Sequence, residues 1–544
     1  WCRGMAERRR GRAVVAAAAW AAVVLLMQVL VGGEAATFMH LSDLHYDPVY
    51  VASANPTSSC RVANSTEGGV AATFITAYGQ YGCDSPETLV QSMLSSLNTE
   101  AIDFLIYTGD MVAHDLQDQN QMLTAIGQVS DWLTDTFVEV PVLAAIGNND
   151  CFPDYTVALN CTLLEGIYEA WQQWIPADQE AVFKKAGCYS TTLTAGLRGI
   201  SLNTVLYSLE HEPYTDAESD PDPGGQFAWL EQQLDDVRAN GELAYVIGHI
   251  PPGNDQYEMQ EFWQNLYADY YLAIVTKYSD LVAGQFFGHL HRDDFRVFWQ
   301  TPQHESASQF ALLAPSVSPV TNTNPSYRLV TYDPSTAALQ DYQEIYADLA
   351  LTHVSGELNW QEEYSFSEAY GETLDGQGMA ALYHTMQVDA VVFNAYLARR
   401  ESQYSAQRWQ YLCAVDSIDR TAYDVCLSTV YEDVISADVP ADPVGECGAA
   451  DANSQPGVPS SSGSPFFSLD LVISVLVVTV LLLLATVAVL LAYVYHLRLR
   501  AHAAPFAQLG GSNTEMLDGE EPTAIELDEV GYTVKHLRKV TKSS

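Results

Sequence analysis

Five short motifs carry the side chains that hold transition-metal ions: "DLH" (Asp43, His45), "GDMVAH" (Asp110, His114), "GNND" (Asn148, Asn149), "GH" (His249) and "GHLH" (His289, His291). Imidazole and carboxylate suit zinc, iron or manganese, and an amide oxygen such as that of Asn148 can complete the set. Each motif alone is weak, because an Asp-x-His arises by chance and a lone His after a strand is commonly a structural residue. Their conjunction is stronger: five of the ten histidines that precede His496 fall inside these motifs, and each motif ends an apolar run.

Those runs are the elements that must position the ligands. "TFMHLSDLH", "IDFLIYTGD", "VPVLAAIGNND", "GISLNT", "LAYVIGHIPPG" and "LVAGQFFGHLH" are rich in β-branched or aromatic residues and read as buried strands. Amphipathic stretches lie between them. In "SPETLVQSMLSSLNTEA", Ser85 can cap a helix, Pro86 suits its first turn, and Leu89, Met93 and Leu97 share a face. Strands alternating with helices predict an α/β sheet domain over residues 37–333, with sites at the carboxyl ends of the strands. Residues 334–435 show helical periodicity and many aromatics, which predicts a smaller helical domain in which Trp360, Tyr364 and Tyr370 are packing residues. Residues 436–467 are a Pro, Gly and Ser rich stalk.

The chain's 544 residues also hold two long apolar stretches. Residues 1–36, with a basic start, an apolar run and small residues near Ala35, have the layout of a secretory signal, and an uncleaved signal anchor is the competing reading. Residues 468–495 are long enough to cross a bilayer as one helix, and the "HLRLR" that follows favours the cytosolic side for the tail at 496–544. Both readings of the leader export the main body to the cell surface or to an acidic, lysosome-like compartment. Cys60, Cys83, Cys151, Cys161, Cys188, Cys413, Cys426 and Cys447 would all be exported, an even number consistent with disulfides whose pairing the residues leave open. "NST" at Asn64 and "NCT" at Asn160 are glycosylation sequons. The net charge of −44 disfavours nucleic acid and other long polyanions as partners.

The order of the five motifs resembles the calcineurin-like metallophosphoesterases, whose fold is a two-sheet sandwich flanked by helices around two metals. That resemblance implies that Asp43, His45 and His291 hold one divalent ion, that Asn148, His249 and His289 hold the other, and that Asp110 bridges them, with zinc as the expected metal and iron or manganese as alternatives. Two ions about 3.5–4 Å apart lower the pKa of a water between them and neutralise charge on phosphoryl oxygens during in-line attack. The stretches "HLSDLHYDPVY", "YGCDSP", "TGDMVAHDL", "GHIPPG", "GHLHRDDF", "APSVSP" and "WQEEYSFSEAYG" narrow the resemblance to the acid sphingomyelinase-like phosphodiesterases. It implies a phosphodiesterase acting on nucleotide or sphingomyelin-type substrates, disulfides Cys60–Cys83 and Cys413–Cys426, and a leaving-group role for His114.

Asn149 departs from that pattern. Sphingomyelinase-like members carry His there as a proton donor, and an amide donates a hydrogen bond but no proton. Asn149 is expected to contact phosphate instead. An alkoxide needs protonation to leave, whereas a phosphate, with a last pKa of about 6, leaves unaided. Asn149 therefore keeps open a second function, an endopolyphosphatase cleaving phosphoanhydrides. A surface binding protein that has lost turnover is the third reading, disfavoured by the complete ligand set.

Overall fold

The computed structural model describes residues 35–52, 59–61, 77–256, 260–300, 304, 306–400, 413–418, 420, 422, 423, 425 and 426. The expected stalk, membrane helix and tail, Asn64, Cys447 and nearly all of the leader lie outside the described residues. Among the described residues no helix is long and apolar enough to cross a membrane.

The strands in chain order are β1 (Ala36–Leu41), β2 (Leu105–Tyr107), β3 (Val142–Ala144), β4 (Tyr189–Thr194), β5 (Leu197–Ser201), β6 (Leu243–Ile247), β7 (Asn254–Asp255), β8 (Gln260–Glu261), β9 (Val282–Phe287), β10 (Asp294–Trp299), β11 (Ala307–Leu313), β12 (Ser326–Tyr332), β13 (Leu339–Ala347) and β14 (Trp360–Ser365). One sheet runs β14-β13-β12-β1-β2-β3 and the other β10-β11-β9-β6-β5-β4. All six apolar runs form strands. β1, β2 and β3 pair in parallel, as do β5, β6 and β9, so their carboxyl ends point the same way within each sheet.

The sheets pack face to face. Phe38 of β1 stacks on Phe104 at 4.7 Å and meets Tyr245 of β6 at 5.6 Å and Phe286 of β9 at 5.4 Å. Such aromatic pairs contribute about 0.5–1.5 kcal/mol each beyond the area they bury. Polar ties cross the same gap: the Tyr189 hydroxyl accepts from the Ala144 amide at 2.8 Å, and the Ser201 hydroxyl donates to the Ala144 carbonyl at 2.7 Å.

The helix expected after "SP" covers Glu87–Ser96, with Leu89 and Met93 buried. Ser85 does not cap it. Pro86 takes the cap position without a side-chain bond, while the Ser85 amide donates to the His45 carbonyl at 2.9 Å, so this stretch is drawn toward the site. Residues from Pro334 onward also differ from expectation. Rather than opening a helical domain, β13 and β14 extend the first sheet, and the helices Phe366–Tyr370, Gly376–Val388 and Ala390–Arg400 come after them. β13 buries Tyr342 and Glu344 while exposing Gln340 and Gln343, an alternation interrupted often enough to read as helical. Tyr364 is buried, as expected of a packing residue, but its hydroxyl bonds to Asp293.

Cys60–Cys83 and Cys413–Cys426 are disulfides, which fit an oxidising luminal or extracellular compartment. Cys151, Cys161 and Cys188 are free.

Candidate metal centre

The five motifs converge at the carboxyl ends of the parallel strands of both sheets. Asp43 and His45 follow β1, Asp110 follows β2, Asn148 follows β3, His249 follows β6, and His289 and His291 follow β9. These turns are tight: Asp43 (φ 50°), His45 (φ 44°), Asp110 (φ 58°), His289 (φ 75°) and His291 (φ 57°) all have left-handed backbone. Asp and His enter this region more readily than most residues, but it remains uncommon for anything except glycine. Two glycines permit the crowding. A Cβ at Gly147 would collide with the Asp110 carboxylate and one at Gly288 with the Ser42 hydroxyl.

One group comprises Asp43, His45, Asp110 and His291, all buried, with ligand atoms within 4.8 Å of one another. His45 Nε2 lies 3.0 Å from His291 Nε2, 3.4 Å from Asp110 Oδ2 and 3.7 Å from Asp43 Oδ1. On the other side of Asp110, His249 Nε2 lies 3.2 Å from Asp110 Oδ2 and 2.9 Å from Asn148 Oδ1. The His289 ring sits 5.1 Å from the His249 ring, and its backbone amide donates to Asp43 Oδ2. The other six expected ligands are thus gathered around Asp110.

The donor chemistry fits cations. His45 Nδ1 lies 3.2 Å from the Val112 carbonyl and His249 Nδ1 lies 2.7 Å from the Thr108 carbonyl, so each neutral ring puts its proton there. With the rings neutral, as metal ligands must be, both Nε2 atoms are lone pairs facing carboxylate and amide oxygens, so either a proton or a metal ion must lie between them. Facing acceptors repel unless a positive charge lies between them. A buried Asp43 Oδ1 without any hydrogen-bond donor repeats the pattern. These residues therefore fit two divalent ions.

Burial opposes a charge on His45 and His249, yet Asp43 and Asp110 outweigh it and push both up to about 9. His289, facing His249 rather than a close carboxylate, is pushed down to about 3 by burial and that neighbour. At pH 7 an entering ion must displace the protons on His45 and His249. Ion affinity is accordingly expected to rise with pH below about 9, by up to about tenfold per unit for each proton released. Binding isotherms at about pH 6.5 and about pH 8.5 check this, and a flat affinity would contradict it.

Asn149 is turned toward Asp110: its backbone N donates to Oδ1 and its Nδ2 to Oδ2, each at 2.8 Å. Two residues outside the expected set support the loops. Asp150 is fully buried and accepts from the backbone N of Asp110 (2.9 Å), Met111 (2.8 Å) and Gly147 (2.9 Å), tying the β2 loop to the β3 loop. Burial and then the Asp110 charge push its carboxyl up to about 6. Asp84 lies behind His114, with Oδ1 at 2.9 Å from Nδ1. Both stand inside motifs that were visible, "GNND" and "YGCDSP", but no spacing rule shows which loop a carboxylate will grip. His114 stacks on His45 at 4.4 Å and keeps 38% of its side chain exposed. The sequon residue Asn160 is exposed.

With this geometry in place, similarity to known proteins is informative. The family profile described as calcineurin-like phosphoesterase matches residues 36–293. Sphingomyelinase phosphodiesterase D of Dictyostelium discoideum is 32% identical over 357 residues, covering 64% of this chain and 81% of that protein. Human acid sphingomyelinase-like phosphodiesterase 3b is 30% identical over 421 residues, covering 72% and 90%. Human cyclic GMP-AMP phosphodiesterase is 29% identical over 426 residues, covering 72% and 90%. The chain belongs to the acid sphingomyelinase-like phosphodiesterases of the calcineurin-like metallophosphoesterases, and is a metal-dependent phosphoric ester hydrolase rather than a silent binding protein.

Proposed function

We propose that the chain hydrolyses phosphodiesters of nucleotide or sphingomyelin type, the classes named in its relatives, at a two-ion site. Asp43, His45 and His291 would hold one ion, Asn148, His249 and His289 the other, and Asp110 both, with zinc expected ahead of iron or manganese. When bound, the ions would activate water and draw charge from the phosphoryl oxygens. The observation that carries this reading is the convergence of imidazole, carboxylate and amide ligand atoms on both sides of Asp110.

The chain's own residues do the rest. Asp110 stays ionised because His249 and His45 outweigh its burial. Asn149 has two amide hydrogens; one is on Asp110, and the second serves a phosphoryl oxygen. His114 passes a proton to the leaving oxygen. Its ring nitrogen Nδ1 is engaged by Asp84, so Nε2 is the atom for that transfer. Membrane attachment through residues 468–495 would keep the site beside a bilayer.

Asn149 favours a second reading, endopolyphosphatase, since a phosphate leaving group needs no acid at that position. Assaying the purified chain against nucleoside triphosphate, a cyclic dinucleotide, sphingomyelin and long-chain polyphosphate separates the two. Hydrolysis of polyphosphate alone would replace the leading reading. Asn149→His is expected to raise kcat on alkyl diesters by about 10-fold or more relative to its effect on anhydrides. Equal effects on both substrate kinds would show that the residue does not set leaving-group preference.

A further inference from the structure

The Cys60–Cys83 disulfide contributes no ligand, yet the residues that follow each of its cysteines reach the same loop. Asp84, after Cys83, is 3% exposed and holds His114 twice: Oδ1 lies 2.9 Å from Nδ1, and Oδ2 accepts from the His114 backbone N at 3.1 Å. Arg61, after Cys60, donates from Nη2 to the His114 carbonyl at 2.6 Å and from Nη1 to the Asp115 carbonyl at 3.0 Å. Its Nε donates to Asp47 Oδ2 at 2.9 Å, which fixes the guanidinium. On its other side the His114 ring lies flat on His45, the planes 8° apart.

We infer that this disulfide is a clasp, and that Arg61 and Asp84 are positioning residues that aim His114 Nε2 at the leaving-group oxygen. The inference rests on the proposed role of His114 as the acid. A carboxylate on Nδ1–H fixes the tautomer and the ring plane, so Nε2 is the ring atom that exchanges its proton with substrate. In the step, water oxygen bonds to phosphorus and releases one proton to solvent as the bond to the leaving oxygen breaks. That oxygen keeps the bonding pair and takes the Nε2 proton, and the ring returns to neutrality with Nδ1–H on Asp84. Asp84, His114 and His45 also have ligand atoms close enough to hold an ion. Both Asp84 oxygens are already engaged by His114, which favours the hydrogen-bonded arrangement.

Asp84→Asn provides one oxygen where two donors need acceptors, and its amide favours the wrong ring tautomer. The full chain and its Asp84→Asn, Arg61→Gln and His114→Ala variants are assayed on an aryl and an alkyl phosphodiester, with bound metal and thermal midpoint recorded. Asp84→Asn and His114→Ala are both expected to lose about 10²-fold more kcat on the alkyl ester than on the aryl one. Combining the two should lose no more than His114→Ala. Arg61→Gln and the paired Cys60→Ser, Cys83→Ser variant should shift the same ratio by about 10-fold. A leaving-group split at His114→Ala but none at Asp84→Asn rejects the clasp and leaves the acid standing. No split at His114→Ala overturns both.

Discussion

Asp110→Asn is expected to lower kcat/KM on an aryl phosphodiester by about 10⁴-fold, a loss of about 5.5 kcal/mol of transition-state stabilisation, and to reduce bound metal at both positions. Every contact of this carboxylate needs an anion or an acceptor. Oδ1 receives the Asn149 backbone N, and Oδ2 receives Asn149 Nδ2 while lying 3.2 Å from His249 Nε2 and 3.4 Å from His45 Nε2. An amide supplies one acceptor, and its NH2 must face either another donor or the cations. Asp110 is buried, so bulk solvent does not reach it to relax the mismatch. Metal analysis with steady-state kinetics decides it: two ions retained with activity within tenfold would remove Asp110 from the bridging position.

Asp150→Ala is expected to destabilise the fold by about 2–5 kcal/mol and to weaken metal binding, although Asp150 would touch no ion. Three buried N–H groups lose their acceptor, at about 1–3 kcal/mol each. Against this, removing a carboxylate relieves repulsion with Asp110, the same repulsion that helps raise the Asp150 carboxyl. Three lost bonds outweigh one relieved repulsion, so the sign is a loss. Urea unfolding monitored with and without metal measures it. An unchanged midpoint would show that the two loops need no tie.

The expected ligands were legible because each sits where an apolar run meets a polar turn, a local signal that survives without knowing the tertiary fold. Asp43, His45, Asp110, Asn148, His249, His289 and His291 all stood out this way, and all lie around one carboxylate. Asp84 and Asp150 were not legible as supports. Their partners, His114 and the Asp110 loop, are 30 and about 40 residues away, and an acid in a loop carries no mark of which amide it will accept. The strands β13 and β14 were hidden for another reason. β13 buries Tyr342 and Glu344 and leaves Gln343 in water without a clean period of two, and β14, the edge strand, buries only Tyr364 and Ser365. Ser85 misled because a Ser before Pro is a good cap by type, whereas here the backbone is committed to His45.

The left-handed turns at Asp43, His45, Asp110, His289 and His291 have a consequence beyond turnover. At about 1 kcal/mol each they sum to about 5 kcal/mol, comparable with the whole margin by which many domains stay folded. That deficit must be offset by whatever the turns embrace. Chelation of the purified chain is therefore expected to lower its thermal midpoint, because an ion that binds only the folded state adds to its stability.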